Sequence, residues 1–299
     1  MEQEDLRYLD SSKMKCYLEC PRKFYWRYVR HLVPKKDETP LTFGSAIHEA
    51  LYTWYDMQLE GYSKEEAMEE ALHRFHSEWT DQPYDDKRTH EKGEKLLKGY
   101  FKKYPEEPFE FITPPETAFK IKFYDYYLIG RFDGVINHNN MVMPLDHKTS
   151  TRMGNYYFNR FRPDLQMTKY CWVARKIAQK LGLDAKIHGA YINVLYFTKT
   201  KINYVRQIVT REQWEIDQFT QIALHIMDEI NAKSIHRMGD WFPNWTSCTK
   251  WGTCTYRDLC IDNEPERLID FMFEQEVWNP LDGNEQIINL DEDDLDEFM

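Results

Sequence analysis

The sequence predicts an α/β fold in which a β-hairpin presents acidic side chains at one end, and three observations lead to it. Apolar residues recur at helical spacing in the segments before and after a central stretch where they alternate instead. Within that stretch Phe119, Ile121 and Phe123 alternate, an extended run follows over residues 127–136, and Asn139-Asn140 turns it back into residues 141–148. Pro105, Pro108, Pro114 and Pro115 separate the helical part from the extended part.

Taken in order, Ser11 or Ser12 caps a first helix that runs towards residue 29. Residues 34–40 read as a loop. Over residues 43–59 the set Ile47, Ala50, Leu51 and Trp54 has helical spacing, and two further helices are predicted over 64–79 and 91–104. After the hairpin come a helix over 164–181, strands over 187–197 and 204–209, and a long helix over 211–237. No tandem repeat is present. The expected organisation is one domain over residues 1–261 with a helical insertion at about 60–105. An acidic extension, 262–299, follows it, and its tail, 290–299, is too charged to pack and is expected to be disordered.

A chain of 299 residues can bury a substantial core. There is no run of eighteen apolar residues, so no membrane span is expected. Residues 1–5 lack a basic segment followed by an apolar one, so no secretory signal is expected, and a cytoplasmic location, or one inside a host cell, is. Six cysteines in that setting argue for reduced thiols or metal ligands rather than disulfides. The net charge of −11 is unevenly spread. Residues 261–299 hold fourteen acids and one arginine, a net of −13, and leave the rest of the chain near +2. Residues 13–36 hold eight Lys and Arg against the single acid Glu19. There Arg22, Lys23, Arg27 and Arg30 interleave with Phe24, Tyr25, Trp26 and Tyr28, a pattern suited to gripping a single strand of DNA. The alternative is an amphipathic helix whose aromatics face the core while its cations meet solvent or DNA.

Asp133, Asp146 and Lys148 carry the chemistry. Asp133 and Asp146 are hard oxygen ligands suited to magnesium or manganese. Lys148, two residues after Asp146, leaves the same face of a strand, where an ammonium can orient a water or neutralise charge on a scissile phosphate. His147 points to the other face, so only its backbone carbonyl can reach a cation held there. Asp133-Gly134 is also a common turn dipeptide, and Asp146 with Lys148 could form an exposed ion pair. The apolar run Met141-Val142-Met143-Pro144-Leu145 argues instead for a strand entering a core.

Gly44-Ser45-Ala46-Ile47-His48, Gly130-Arg131-Phe132-Asp133, Asp146-His147-Lys148 and Gln166-Met167-Thr168-Lys169-Tyr170 stand in the order seen in RecB-type nucleases of the PD-(D/E)XK superfamily, which the chain resembles from about residue 12 to 260. The resemblance implies a restriction-endonuclease-like core, a mixed sheet flanked by helices, that hydrolyses phosphodiester bonds. It implies that His48 is a cation ligand with Asp133 and Asp146, and that Gln166 and Tyr170 stand beside Lys148 and the DNA phosphate. Their i, i+4 spacing puts both on one helix face. An exonuclease acting on single-stranded DNA or DNA ends, in recombination, repair or end processing, is the implied activity. A catalytically quiet DNA-binding subunit and an end-trimming subunit of a CRISPR-type integration complex are the alternatives.

Cys20-Pro21-Arg22-Lys23-Phe24 and the later Cys248, Cys254 and Cys260 resemble the iron–sulfur branch of that family, which includes AddB-type nuclease domains and CRISPR-adaptation nucleases. Four thiolates suffice for tetrahedral zinc or a cubane cluster, and composition does not choose between them. The resemblance implies a [4Fe–4S] cluster that staples the N-terminal segment to segment 248–260, although the tighter C-x-x-C spacing of many relatives is absent. The tail, with acids around Leu295 and Phe298 near its end, looks similar to the acidic tips of bacterial single-strand-binding proteins, which implies a protein partner; the alternatives are competition with DNA for the chain's own basic stretch, residues 13–36, and a solvated end without a partner. No G-x-x-x-x-G-K-[ST], G-x-S-x-G or H-E-x-x-H is present, so no P-loop motor, nucleophile elbow or zincin site is expected.

Overall fold

The computed structural model describes residues 6–35, 39–81, 85–154, 156–183, 186–250, 252–279, 281 and 287–290. Strand β1 (Tyr8–Leu9) is followed by helices α1 (Ser11–Glu19) and α2 (Pro21–Phe24), a π turn (Tyr25–Val29) and β2 (Leu32–Pro34). Three helices come next: α3 (Thr39–Leu59), α4 (Lys64–Glu78) and α5 (His90–Lys103). Strands β3 (Glu110–Phe111), β4 (Ala118–Phe123), β5 (Tyr126–Arg131), β6 (Gly134–His138) and β7 (Met141–Ser150) precede α6 (Leu165–Lys180). Then follow β8 (Gly189–Phe197), β9 (Ile202–Thr210), α7 (Gln213–Asn231), α8 (Arg257–Ile261), α9 (Glu266–Met272), β10 (Phe273–Gln275) and β11 (Ile287–Leu290). No helix among the described residues is long and apolar enough to cross a membrane.

The chain divides into two compact units, each assembled from segments distant in sequence. One, Glu38–Thr117 with Phe132–Ile216, is built on a five-stranded sheet of order β3-β6-β7-β8-β9, parallel between β7 and β8 and antiparallel elsewhere. β8 is apolar almost without interruption, as a central strand covered on both faces should be. Its Leu195 and Phe197 share a core with Phe43, Leu51 and Trp54 of α3, Phe75 of α4, and Leu96 and Tyr100 of α5. The region read as a helical insertion thus packs against α3 and β8. Ser63 and Glu66 form a reciprocal capping box that starts α4.

The other unit, Met1–Asp37 with Ala118–Arg131 and Asp217–Met299, holds a four-stranded sheet of order β1-β5-β4-β11 and a β10-β2 ladder. In it the single helix expected over 11–29 is broken. Asp10, not Ser11 or Ser12, caps α1, its carboxylate accepting from Ser12 N and Lys13 N. The break falls at Cys20, which is extended at φ −165° and ψ 111° because a residue before proline is pushed out of the helical region. Pro21 then starts α2, its ring already set for a first helical turn. Phe24, Tyr25, Trp26 and Tyr28 are all buried, so these aromatics serve the core rather than stack on bases.

Two further readings change. The strand expected over 127–136 is interrupted at Phe132-Asp133, because β5 pairs with β4 in one sheet and β6 with β7 in the other. The acidic extension is partly ordered: β10 pairs with β2, and β11 adds in parallel to β4 with Leu290 buried. Residues 291–299 lie outside the described residues. The long helix expected to residue 237 ends at Asn231.

Candidate active site and cysteine cluster

β6 and β7 set the two acids. Register places Gly134 opposite Leu145, and one step further Asp133 comes level with Asp146 at the end of the ladder. The bend between β6 and β7 is made by Asn139 and Asn140, both at positive φ (53° and 61°), as a tight hairpin requires. Asp133-Gly134 is no turn of this kind. Gly134 begins β6, and a Cβ there would lie 2.5 Å from the Phe111 ring.

α3 brings His48 to the same place: its Nδ1 lies 3.4 Å from Asp133 Oδ1. The other Asp133 oxygen accepts the His147 backbone N–H at 2.5 Å. Burial disfavours a charged His48, but the Asp133 carboxylate outweighs it and raises the imidazole to about 9. Burial likewise works against the Asp133 carboxylate, and His48 holds it well below the usual carboxylate range. The two form an ion pair in the absence of a cation.

Glu116 is the residue that sequence reasoning missed. One ligand atom each from His48, Glu116 and Asp133 lie within 4.8 Å of one another, the one such group of three among the described residues. Glu116 follows two prolines and sits at φ 55°, a left-handed conformation that costs a non-glycine residue about 1–2 kcal/mol. Its N–H donates to Asp133 O at 3.4 Å, which ties the strained loop to the acid it accompanies. The only sequence signal was an acid in a proline-rich breaker, which no periodicity marks.

Asp146 is 2% exposed and is not one of these three. Burial pushes its carboxyl up, although Lys148 pulls it down. Lys148 Nζ donates to Asp146 Oδ1 at 2.7 Å, while Oδ2, equally near the ammonium, accepts no hydrogen bond. A cation reaching Asp146 would share this carboxylate with the ammonium. Burial opposes the Lys148 charge, but Asp146 and Asp133 keep it protonated. On α6, Gln166 Nε2 donates to Tyr170 Oη at 3.1 Å, and the Tyr170 ring lies 4.9 Å from that of Phe132. The Tyr170 hydroxyl is buried and stays protonated, with Asp146 close enough to reinforce this. His147, between Asp146 and Lys148, points to the opposite face and stacks on Tyr55.

Five of the six cysteines lie in the other unit, while Cys171 is buried on α6. None is in a disulfide. Cys20 Sγ accepts the Asn244 N–H at 3.2 Å, and the Cys254 N–H donates to Cys248 O at 2.8 Å. Burial raises the Cys254 thiol, and Cys248 and Cys20 are near enough to raise it further. Cys260 is raised by burial first and then by Cys20 and Cys254. Cys16 also lies near Cys20 and Cys254, and burial pushes it up to about 12.

The four cations read as DNA contacts have partners within their own unit. Arg22 Nε donates to Trp241 O at 2.6 Å, and Lys23 pairs with Glu19 at 2.8 Å. Arg27 pairs with Glu276 at 2.8 Å, and Arg30 is bidentate to Glu266 at 2.7 and 2.9 Å.

The family model of the PD-(D/E)XK nuclease superfamily matches residues 11–261. No curated protein matches. Among solved structures, the chain is similar to a protein of Eubacterium rectale named as a candidate exonuclease, at 15% identity and TM-score 0.43, over 88% of this chain and 90% of that one. It is also similar to SSO0001, at 15% identity and TM-score 0.25, over 64% of this chain and 77% of that one. The chain belongs to the PD-(D/E)XK nuclease superfamily.

Proposed function

We propose that this superfamily member, a phosphodiester hydrolase, is a magnesium- or manganese-dependent deoxyribonuclease that removes nucleotides from DNA ends, single-stranded ends above all, in recombination, repair or end processing. The observation that carries the cation-dependent chemistry is the meeting of His48, Glu116 and Asp133 beside the buried Asp146–Lys148 pair. The choice of single-stranded ends follows the RecB-type order of motifs; the buried aromatics of segment 13–36 add nothing to it.

His48, Asp133 and Asp146 would hold the cation, with Glu116 and the His147 carbonyl as further oxygen donors. Carboxylates and one imidazole suit a hard divalent ion. When bound, the ion supplies positive charge against the scissile phosphate and acidifies water. Lys148 faces the phosphate oxygens on which charge develops, and its pairing with Asp146 fixes the direction of the ammonium. Gln166 donates to Tyr170 and so aims the phenol at the lysine and the phosphate. For Lys23 and Arg30 to grip the strand, phosphates must replace Glu19 and Glu266. Lys23–Glu19 is half-buried and Arg30–Glu266 is bidentate, so the exchange costs more than the roughly 0–1 kcal/mol of an exposed pair.

Cys20, Cys248, Cys254 and Cys260 would hold a [4Fe–4S] cluster of the iron–sulfur branch. Four unbridged cysteines brought into one unit support the reading. The choice of a cubane over zinc follows the iron–sulfur branch that the order of the cysteines resembles. The cluster's role here is to fold the segment, not to react.

The test is cleavage of 5′- and 3′-labelled single strands and duplexes with magnesium, manganese or chelator. Stepwise shortening of single strands with either ion is the expected result. Cleavage that persists in chelator would overturn the cation chemistry, and internal nicking of closed circles would overturn the exonuclease mode.

A further inference from the structure

The sheet face opposite Asp146 and Lys148 carries a polar row that the reaction chemistry does not use. Register sets His147 of β7 beside Asn193 of β8, and Asn193 opposite Arg206 of β9, so three polar side chains stand in line across a sheet otherwise lined with apolar residues. Asn193 is fully buried and His147 is 3% exposed. Tyr55 of α3 and Tyr100 of α5 close over the row, and Glu107 stands at its outer end.

The direction of every hydrogen bond in this network is forced, because a guanidinium only donates and a carboxylate only accepts. Arg206 is bidentate to Glu107 at 2.6 and 2.9 Å, and its Nε donates to Asn193 Oδ1 at 3.3 Å. The Asn193 amide nitrogen must then face Tyr100 Oη at 2.8 Å and His147 Nδ1 at 2.7 Å. Tyr100 Oη accepts from Asn193 and from Arg206 Nη2, so its own proton goes to Tyr55 Oη at 2.6 Å, and Tyr55 donates to Glu107 at 2.7 Å. His147 Nδ1 is therefore an acceptor and the ring is uncharged, clamped between Asn193 and the Tyr55 ring, 5.7 Å away and 11° from parallel.

We propose that Asn193, Tyr100 and Arg206 are positioning residues for the cation site, acting through His147. The inference rests on the cation-dependent reading of that site. His147 connects the two sheet faces: its ring ends the network, its backbone N–H holds Asp133 Oδ2 at 2.5 Å, and its chain neighbours are Asp146 and Lys148. A network with one allowed polarity cannot slip by exchanging donors and acceptors. The ring is thus fixed, and with it the β7 backbone that sets the distance between the two acids. An uncharged ring also adds no positive charge beside an incoming cation.

The test uses the full chain with Tyr100→Phe, which removes one oxygen, and Asn193→Leu, which removes the link to His147. Manganese affinity is measured by calorimetry without DNA, and kcat and KM are measured on a labelled strand. Partners that orient ligands are worth about 10- to 100-fold in affinity or activity. A loss of that size in manganese affinity or kcat is expected, with KM for DNA within about threefold of wild type. Phe75→Leu, a core change in α4, is the control for instability, and should lower the melting temperature while leaving affinity and kcat within about twofold. Variants that melt earlier yet bind manganese and turn over as wild type does would reduce the network to a stabilising role and overturn the proposal. If Asn193→Leu fails to fold, Tyr100→Phe decides. A wild type that binds manganese but cleaves no DNA overturns the nuclease reading alone, and the affinity comparison still decides this one; a wild type that binds no manganese overturns both.

Discussion

The two units collect potential metal ligands in opposite ways. In the unit of the five-stranded sheet the donors are oxygen and nitrogen, and they are held by one another before any ion arrives: His48 against Asp133, Lys148 against Asp146, the His147 N–H on Asp133. In the other unit the donors are thiols, Cys20 between α1 and α2, Cys248 and Cys254 on a turn-rich segment, and Cys260 on α8. They have a few backbone N–H groups for partners, and burial keeps Cys254 and Cys260 protonated. The first arrangement is internally compensated and rests on regular sheet and helix, so it stands without its ion. The second is anchored by other groups, with Asn244 and Ser247 on Glu19 O, Arg22 on Trp241 O and Tyr256 on Leu32 O, so a metal on the sulfurs would add to contacts the segment already makes. The difference fits the two proposed roles, a cation for chemistry in the first unit and a cluster for folding in the second.

The largest effects should come from breaking the first site. Lys148→Ala lowers kcat by about 10³-fold on a labelled strand, with DNA affinity within a few-fold, because the ammonium acts on charge that develops in the transition state. Cys254→Ala is the counterpart in the other unit. The broad absorption near 400 nm typical of iron–sulfur proteins is lost, and the melting temperature of anaerobically purified protein falls by roughly 10 °C. Colourless wild-type protein holding stoichiometric zinc would show the wrong metal on the right ligands. Glu116→Gly separates ligand from backbone: about tenfold weaker manganese binding is expected, with the melting temperature within about 2 °C. Relief of left-handed strain and the added freedom of glycine in the unfolded chain nearly cancel. An unchanged manganese affinity would remove Glu116 from the site. The smallest effect concerns residues 291–299. Deleting their six carboxylates should strengthen DNA binding a few-fold at low salt, with the difference vanishing as salt screens it. Unchanged DNA affinity together with loss of a co-purifying partner would favour docking instead.

Much of the sheet unit was visible in the sequence because its elements are long and periodic. α3, α4, α5 and α6 lie within a few residues of their expected spans, and Asn139-Asn140 marked the hairpin correctly. The readings that failed share a cause, since they depend on partners remote in sequence. Nothing local distinguishes β5 from β6 as members of different sheets, and strands of two to four residues such as β1, β10 and β11 are too short to show alternation. Cys20 before Pro21 was readable as a helix break, yet the basic and aromatic pattern around it favoured a continuous helix. Arg27 and Arg30 looked available because Glu276 and Glu266 lie more than 230 residues away. At the site, the spacing of Asp146 and Lys148 was a local property of a strand, whereas Glu116 reaches Asp133 through a loop that only the fold brings there.

The central claim, that the oxygen and nitrogen donors of the sheet unit form a hydrolytic cation site while the thiols serve folding, meets its most direct test in one titration. Wild-type protein is dialysed against a chelator too weak to extract thiolate-bound metal, and strand cleavage and melting temperature are followed as manganese is returned. Cleavage should disappear and return with manganese while the melting temperature and the 400 nm absorption stay constant throughout. Cleavage that survives the dialysis, or that falls only as the absorption and melting temperature fall, would contradict it.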